Sequence, residues 1–200
     1  MKTENPPHQP ERVLVWDKLV RYGHWATVLS FATAYIKPRW DGHVWIGYGI
    51  LTYVVVRILW GFIGTPYARF KAFLYPPRET IDYTMAALRG GHAKEYLSHN
   101  PMGAVMVFVL LSTLLVQAVS GVMLYGAQAL SGPLADIVPT PWEVWLEPLH
   151  RTLGPIIGIC VLLHIVGVAW ATWWHRENYV KAMITGYKSA YKRRSHRVPR

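Results

Sequence analysis

Charge is scarce in this chain. Only 16% of its 200 residues are Asp, Glu, Lys or Arg, against about a quarter in soluble domains. That shortage, beside 52% hydrophobic residues, excludes an ordinary water-soluble domain. Cysteine is all but missing. Cys160 stands alone, so no intrachain disulfide, no paired-cysteine metal site and no covalent c-type haem attachment is available. A lone Cys inside an apolar run reads as a small packing residue. The sequence also lacks a Walker motif, a dinucleotide fingerprint and any nucleophile–base constellation. It has no internal repeat and no low-complexity tract beyond a basic C-terminus. The first apolar run follows a polar, proline-containing stretch without a small-residue cleavage site, so it is expected to remain as a membrane span.

What is present is apolar sequence in four blocks, at about residues 19–36, 43–63, 102–125 and 149–174. Each approaches the ~20 residues a helix needs to cross hydrocarbon. Prolines open or precede the third and fourth, where a helix tolerates them. The expected architecture is all-α: an integral membrane four-helix bundle. Its divisions are an N-terminal tail over 1–16, a four-span domain over 17–176 and a basic tail over 177–200. Residues 77–89 suggest a short interfacial helix. Ten Trp and twelve Tyr fit aromatic belts at the two interfaces.

Basic residues outnumber acidic ones by 21 to 11, a net charge of +10. They cluster beside the spans, which argues for topology and lipid headgroups rather than nucleic acid. Arg12, Lys18 and Arg21 precede the first span. Arg69, Lys71, Arg78, Arg89 and Lys94 lie between the second and third. Arg176, Lys181, Lys188, Lys192, Arg193, Arg194, Arg197 and Arg200 follow the fourth. Between residues 125 and 150 there is none. By the positive-inside bias both termini are expected to be cytoplasmic, in a multi-pass membrane protein.

Polar residues inside the spans should face the bundle interior: His24, Arg57, Gln117, Arg151 and His164. Of nine histidines, His8 and His196 lie in the tails, and His92, His99 and His175 lie at or beyond helix ends on the cytoplasmic side. Four remain. His150 and His164 are 14 positions apart, nearly four helical turns, so they share a face at a vertical distance of about 21 Å. His43 opens the second span at the depth of His150. His24 lies in the first span at the depth of His164. Two pairs at two depths suit the axial positions of two haem irons, since neutral imidazole is a good ligand. Zinc would need its ligands gathered at one point. Arg57 follows His43 by 14 positions and would meet a propionate of the inner haem. Arg151, beside His150, would serve the outer haem similarly. Gly23, Gly47, Gly103, Gly121, Gly154, Gly158 and Gly167 allow close approach of a flat macrocycle, or equally of another helix.

At these residues the chain resembles the bacterial di-haem cytochrome b561 family, which includes the b-type cytochrome subunits of nickel–iron hydrogenases. The matching stretches are RYGHW around His24, HVWIGYG and RILWGFIG from His43 onward, HNPMGAVMV opening the third span, LHRTLGPIIGICVLLH through His150 and His164, and HRENYVKAMITG after the fourth span. The resemblance runs over about residues 12–188. It implies axial ligation of two non-covalent b haems by His24, His43, His150 and His164. It also implies electron exchange between the quinone pool and a hydrogenase, a dehydrogenase or a c-type cytochrome. Outside that, a stand-alone oxidoreductase acting on a small oxidant such as superoxide, and a non-redox transporter lined by histidines, are the competing functions. Whether the chain is itself an enzyme stays open at this point. A quinol site would lie at a haem edge, with Lys18, Arg21, Tyr22 and His99 as inner candidates and Trp40, Trp45 and Trp142 as outer ones.

Overall fold

The computed structural model describes residues 11–90 and 96–190. His8, His92, Lys94, His196 and the basic run Lys192, Arg193, Arg194, Arg197 and Arg200 lie outside the described residues. The elements are β1 (Glu11–Leu14), α1 (Lys18–Ile36), α2 (His43–Ile63), α3 (Pro77–Leu88), α4 (Pro101–Ala129), α5 (Glu143–His175), α6 (Tyr179–Thr185) and β2 (Tyr187–Ala190). Single turns of 3₁₀ helix at Phe70–Ala72 and Thr140–Trp142 punctuate the connections.

Local chemistry sets the helix ends. The Asp17 carboxylate accepts from the Val20 amide at 2.9 Å, and Asn100 accepts from the Gly103 amide at 2.7 Å. Each satisfies an amide that helix geometry leaves without a partner. Pro101 occupies the first turn of α4, where its missing N–H costs nothing. At the other ends, Leu130 and Arg176 close α4 and α5 with left-handed backbone (φ 47° and 53°).

Three helical stretches are long and apolar enough to cross a membrane: His43–Ile63, Pro101–Ala129 and Thr140–His175. They are not apolar in order to hide from solvent within the protein. Ile63 is 77% exposed, Leu162 60% and Ile165 57%. An apolar exterior of this extent belongs in lipid. α1 has the length, 19 residues, but falls short in apolarity because Lys18, Arg21 and His24 occupy its first two turns. Packing runs from α1 to α2, from α2 to α4 and from α4 to α5. α1 meets α2 closely at Gly23, where a Cβ would fall 1.8 Å from the Tyr53 ring. Among the described residues α5 packs on α4 but not extensively on α1 or α2, which leaves a gap between α5 and those two helices.

Several boundaries differ from the sequence reading. Pro148 does not precede the fourth helix. α5 begins at Glu143 and carries both Pro148 and Pro155 inside it. Pro148 is in the second turn, so its absent N–H removes at most one early helical bond. The loop expected over 126–148 contracts accordingly, since α4 also continues to Ala129.

The tails are the larger correction. Residues 11–16 are not a free tail, nor are residues 177–190. β1 pairs antiparallel with β2, Glu11 opposite Ala190 and Leu14 opposite Tyr187. Val15, Trp16, Val20, Ala68 and Ala182 form a buried cluster beneath them. Lys188, grouped in the sequence reading with a solvated basic tail, is only 4% exposed. Its ammonium donates to the carbonyls of Leu97 (2.9 Å) and Ser98 (3.0 Å) and lies over the Tyr179 ring at 4.6 Å. A two-stranded sheet thus closes one end of the bundle, the sheet end. The α1–α2 and α4–α5 connections mark the opposite end, the loop end. The short helix expected over 77–89 is present as α3, on the sheet-end side between α2 and α4.

Candidate haem-binding site

The four histidines singled out by spacing meet in two pairs across the gap. His24 of α1 faces His164 of α5 near the sheet end, with ring centres 6.3 Å apart. His43, the first residue of α2, faces His150 of α5 near the loop end, with ring centres 6.1 Å apart. Neither separation is a stacking contact or a hydrogen bond. It is the distance at which one metal ion fits between two imidazoles. An iron bonded to a nitrogen of each ring at about 2 Å holds the ring centres about 6 Å apart.

Buried polar atoms repeat the message. His24 Nδ1 and His43 Nδ1 are shut away from solvent with no hydrogen-bond partner. Such groups are costly unless something absent from the protein chain satisfies them. Among the described residues no three His, Cys, Asp or Glu side chains converge on a common point. The donor sets are pairs, which suits a haem whose porphyrin supplies the other four ligands. The residues therefore fit b-type haem at both depths.

Arg57 lies toward the sheet end and is 5% exposed. One arm of its guanidinium, Nη2, donates to the Ala68 carbonyl at 3.2 Å, and its Cζ lies 5.5 Å from the centre of the Phe70 ring. Nη1 is buried without a partner. An arginine so placed is half satisfied, and an anionic group would complete it. Arg151 behaves differently. Its side chain is 77% exposed and forms an ion pair with Glu147 at 3.3 Å, one turn back on α5. The structure does not bring it to the His43–His150 pair. The reason is local, since at residue 151 the helix face has turned away from the gap that His150 enters.

Two features escaped the sequence reading. Asp17 joins α1 to α2 by accepting from Trp60 Nε1 at 2.8 Å and the Thr65 hydroxyl at 2.7 Å. Burial works to raise its pKa, but these bonds, the Val20 amide and the Arg57 charge outweigh it and hold the carboxyl below its ordinary value. The only signal for it in the sequence was a helix-capping residue type before the first apolar run. Gln117 was read only as an interior polar residue; its main-chain carbonyl in fact receives His150 Nδ1 at 3.0 Å. His99, an inner quinol candidate, is instead wedged between the rings of Phe73 (4.4 Å) and Trp16 (4.6 Å).

A family model described as prokaryotic cytochrome b561 matches residues 15–186. The chain belongs to the prokaryotic cytochrome b561 family. It is thus a membrane b-type cytochrome of electron transfer, and b haem is the cofactor that its half-buried histidines fit. No curated protein and no solved structure matches this cytochrome. The family match takes in α1 through α6 and all four paired histidines of the cytochrome.

Proposed function

We propose that this cytochrome holds two non-covalent b haems, one between His24 and His164 and one between His43 and His150. It would pass electrons between the quinone pool and a redox partner, such as a hydrogenase, a dehydrogenase or a c-type cytochrome. The observation that carries this reading is the pair of facing imidazoles at each of two depths, 6.3 and 6.1 Å between centres, with α5 supplying one member of each. Bound haem supplies reversible one-electron chemistry. The chain's own work is to present neutral imidazoles, exclude water and set charges near each iron. Arg57 would hold a propionate of the sheet-end haem through its free Nη1.

The proposed frame is a four-span bundle with both termini in the cytoplasm, in a bacterial inner membrane. The pairing of β1 with β2 supports it, because two strands that pair at one end require an even number of crossings. α2, α4 and α5 give three, and α1 is then the fourth. Its polar residues are tolerable because they lie at the interface or face the gap. The basic residues at the sheet end, Arg69, Lys71, Arg78 and Arg89, support a cytoplasmic position for that end.

For the quinone, the sheet end offers the better supported position. Arg21, Tyr22, Trp25 and Ile184 line an open cavity of about 300 Å³ beside His24. Arg21 donates to the Ile184 carbonyl, while its Nε is buried without a partner. Trp40, Trp45 and Trp142, at 52%, 76% and 49% exposure, are more simply interface anchors.

Two measurements test the reading. A pyridine haemochrome assay is expected to give two b haems per chain, with no covalent haem. Added quinol is expected to reduce them, and the rate should fall on Arg21→Leu. A colourless protein would favour the histidine-lined transporter. Reduced haems that superoxide oxidises, with no exchange with any quinol, would favour the stand-alone oxidoreductase.

A further inference from the structure

Helix α4 contributes no histidine to either pair, yet it shapes one of them. His150 Nδ1 lies 3.0 Å from the Gln117 carbonyl and 3.3 Å from the Ser120 hydroxyl. The Ser120 hydroxyl itself donates to the Gln117 carbonyl at 3.0 Å, so its lone pairs are free to receive the ring N–H. A carbonyl can only accept, and this fixes the tautomer: Nδ1 carries the proton and Nε2 carries the lone pair. The Gln117 amide nitrogen lies 3.3 Å from that Nε2, within hydrogen-bonding distance of its lone pair, and would give way to a metal bound there. One turn further along α4, Gly121 leaves room for the ring. A Cβ there would fall 2.7 Å from His150 Cε1, closer than any real contact allows.

We infer that Gln117, Ser120 and Gly121 form a seat on α4 that positions His150 and sets the potential of the haem it ligates. The inference rests on the proposal that His43 and His150 share a haem. Its physical basis is general: a bond from the remote imidazole N–H to a carbonyl makes the ring a stronger donor and fixes its orientation. Stronger donation favours the ferric state, so the seat lowers the midpoint potential of that haem. These three residues are positioning residues, since none of them bonds the iron.

The test is a redox titration of the full-length purified protein, followed optically and by electron paramagnetic resonance, on Gly121→Ala and Ser120→Ala. His43→Ala in parallel identifies which signal belongs to the loop-end haem. Gly121→Ala is expected to push the ring off the carbonyl. It should raise the midpoint of the loop-end haem, or remove that haem alone, while the other keeps its potential and low-spin signal. Ser120→Ala, which leaves the packing intact, is expected to shift the same midpoint upward by less, and Ser120→Thr to restore it. If Gly121→Ala fails to accumulate, the Ser120 pair decides. Two haems bound with both midpoints unmoved in either variant would overturn the seat. So would a shift confined to the haem that survives in His43→Ala. If the parent protein binds fewer than two haems, or His43→Ala and His150→Ala lose different ones, the pairing fails first and the seat with it.

Discussion

At the scale of single side chains, the four histidines stand as two facing pairs, His24 with His164 and His43 with His150. A ring that can ligate metal is conspicuous in an apolar run, and helical periodicity converts 14 positions into one face and about 21 Å of depth. Arg57 was legible for the same reason, being a charge that lipid would not accept. Arg151 pairs with Glu147 on the exposed side of α5, since adjacency in sequence does not give a shared face on a helix. The free Nη1 of Arg57 gives a direct expectation. Arg57→Leu should lower the midpoint of the sheet-end haem and leave the loop-end haem nearly unmoved, because a fixed positive charge beside one iron is lost. Titration of both midpoints checks it. The variant should also lose about 1–3 kcal/mol of stability, since the Ala68 carbonyl is left without its donor. Asp17→Ala is expected to cost a similar amount, about 1–3 kcal/mol, by removing a helix cap and the two side-chain bonds to α2. Thermal unfolding followed by the Soret band measures both.

Among the elements, α1 and α2 were read to within a residue of their ends, and the apolar cores of α4 and α5 were read because twenty apolar residues have few other uses. The misplaced start of α5 came from treating Pro148 as a boundary, when a second-turn proline is compatible with a helix. The β1–β2 sheet was not legible at all. Four-residue strands leave no periodic signal, and their stability comes from partners far along the chain, such as Lys188 against the carbonyls of Leu97 and Ser98. His99 belongs to this closure. Burial between Trp16 and Phe73, with the positive charges of Lys188 and Arg57 nearby, pushes its pKa down to about 3. The unfolded chain takes up a proton near pH 6.5 that the folded protein refuses until about pH 3. Stability from this group is therefore complete above about pH 6.5 and declines as pH falls toward 3. His99→Phe is expected to flatten the fall in melting temperature between pH 7 and pH 5 relative to the parent protein. An unchanged slope would remove His99 as its source.

Across the whole molecule both ends are closed, the sheet end by the paired strands and the loop end by a buried cluster of Ala127, Val138 and Leu146. At the sheet end the strands, the loop before α4 and the base of α1 interlock through buried groups. At the loop end Ile137, Val144 and Trp145 are 71%, 68% and 78% exposed. The haem gap runs between, bounded on one side by α5 and on the other by α1 and α2. On the proposed two-haem reading, charge would move along the long axis, with α5 contributing to both histidine pairs. On the proposed topology, reporter fusions at Arg200 and in the 131–138 segment should report opposite sides of the membrane, the first cytoplasmic.

The central claim is the pairing by depth, and haem retention in the four single histidine variants tests it most directly. Each of His24→Ala, His43→Ala, His150→Ala and His164→Ala should keep one low-spin haem and lose or convert the other to high spin. Redox titration should show that His43→Ala and His150→Ala retain the same haem, and that His24→Ala and His164→Ala retain its counterpart. If His43→Ala and His150→Ala instead retained haems of different midpoint, the pairs would be wrong even with all four residues as ligands.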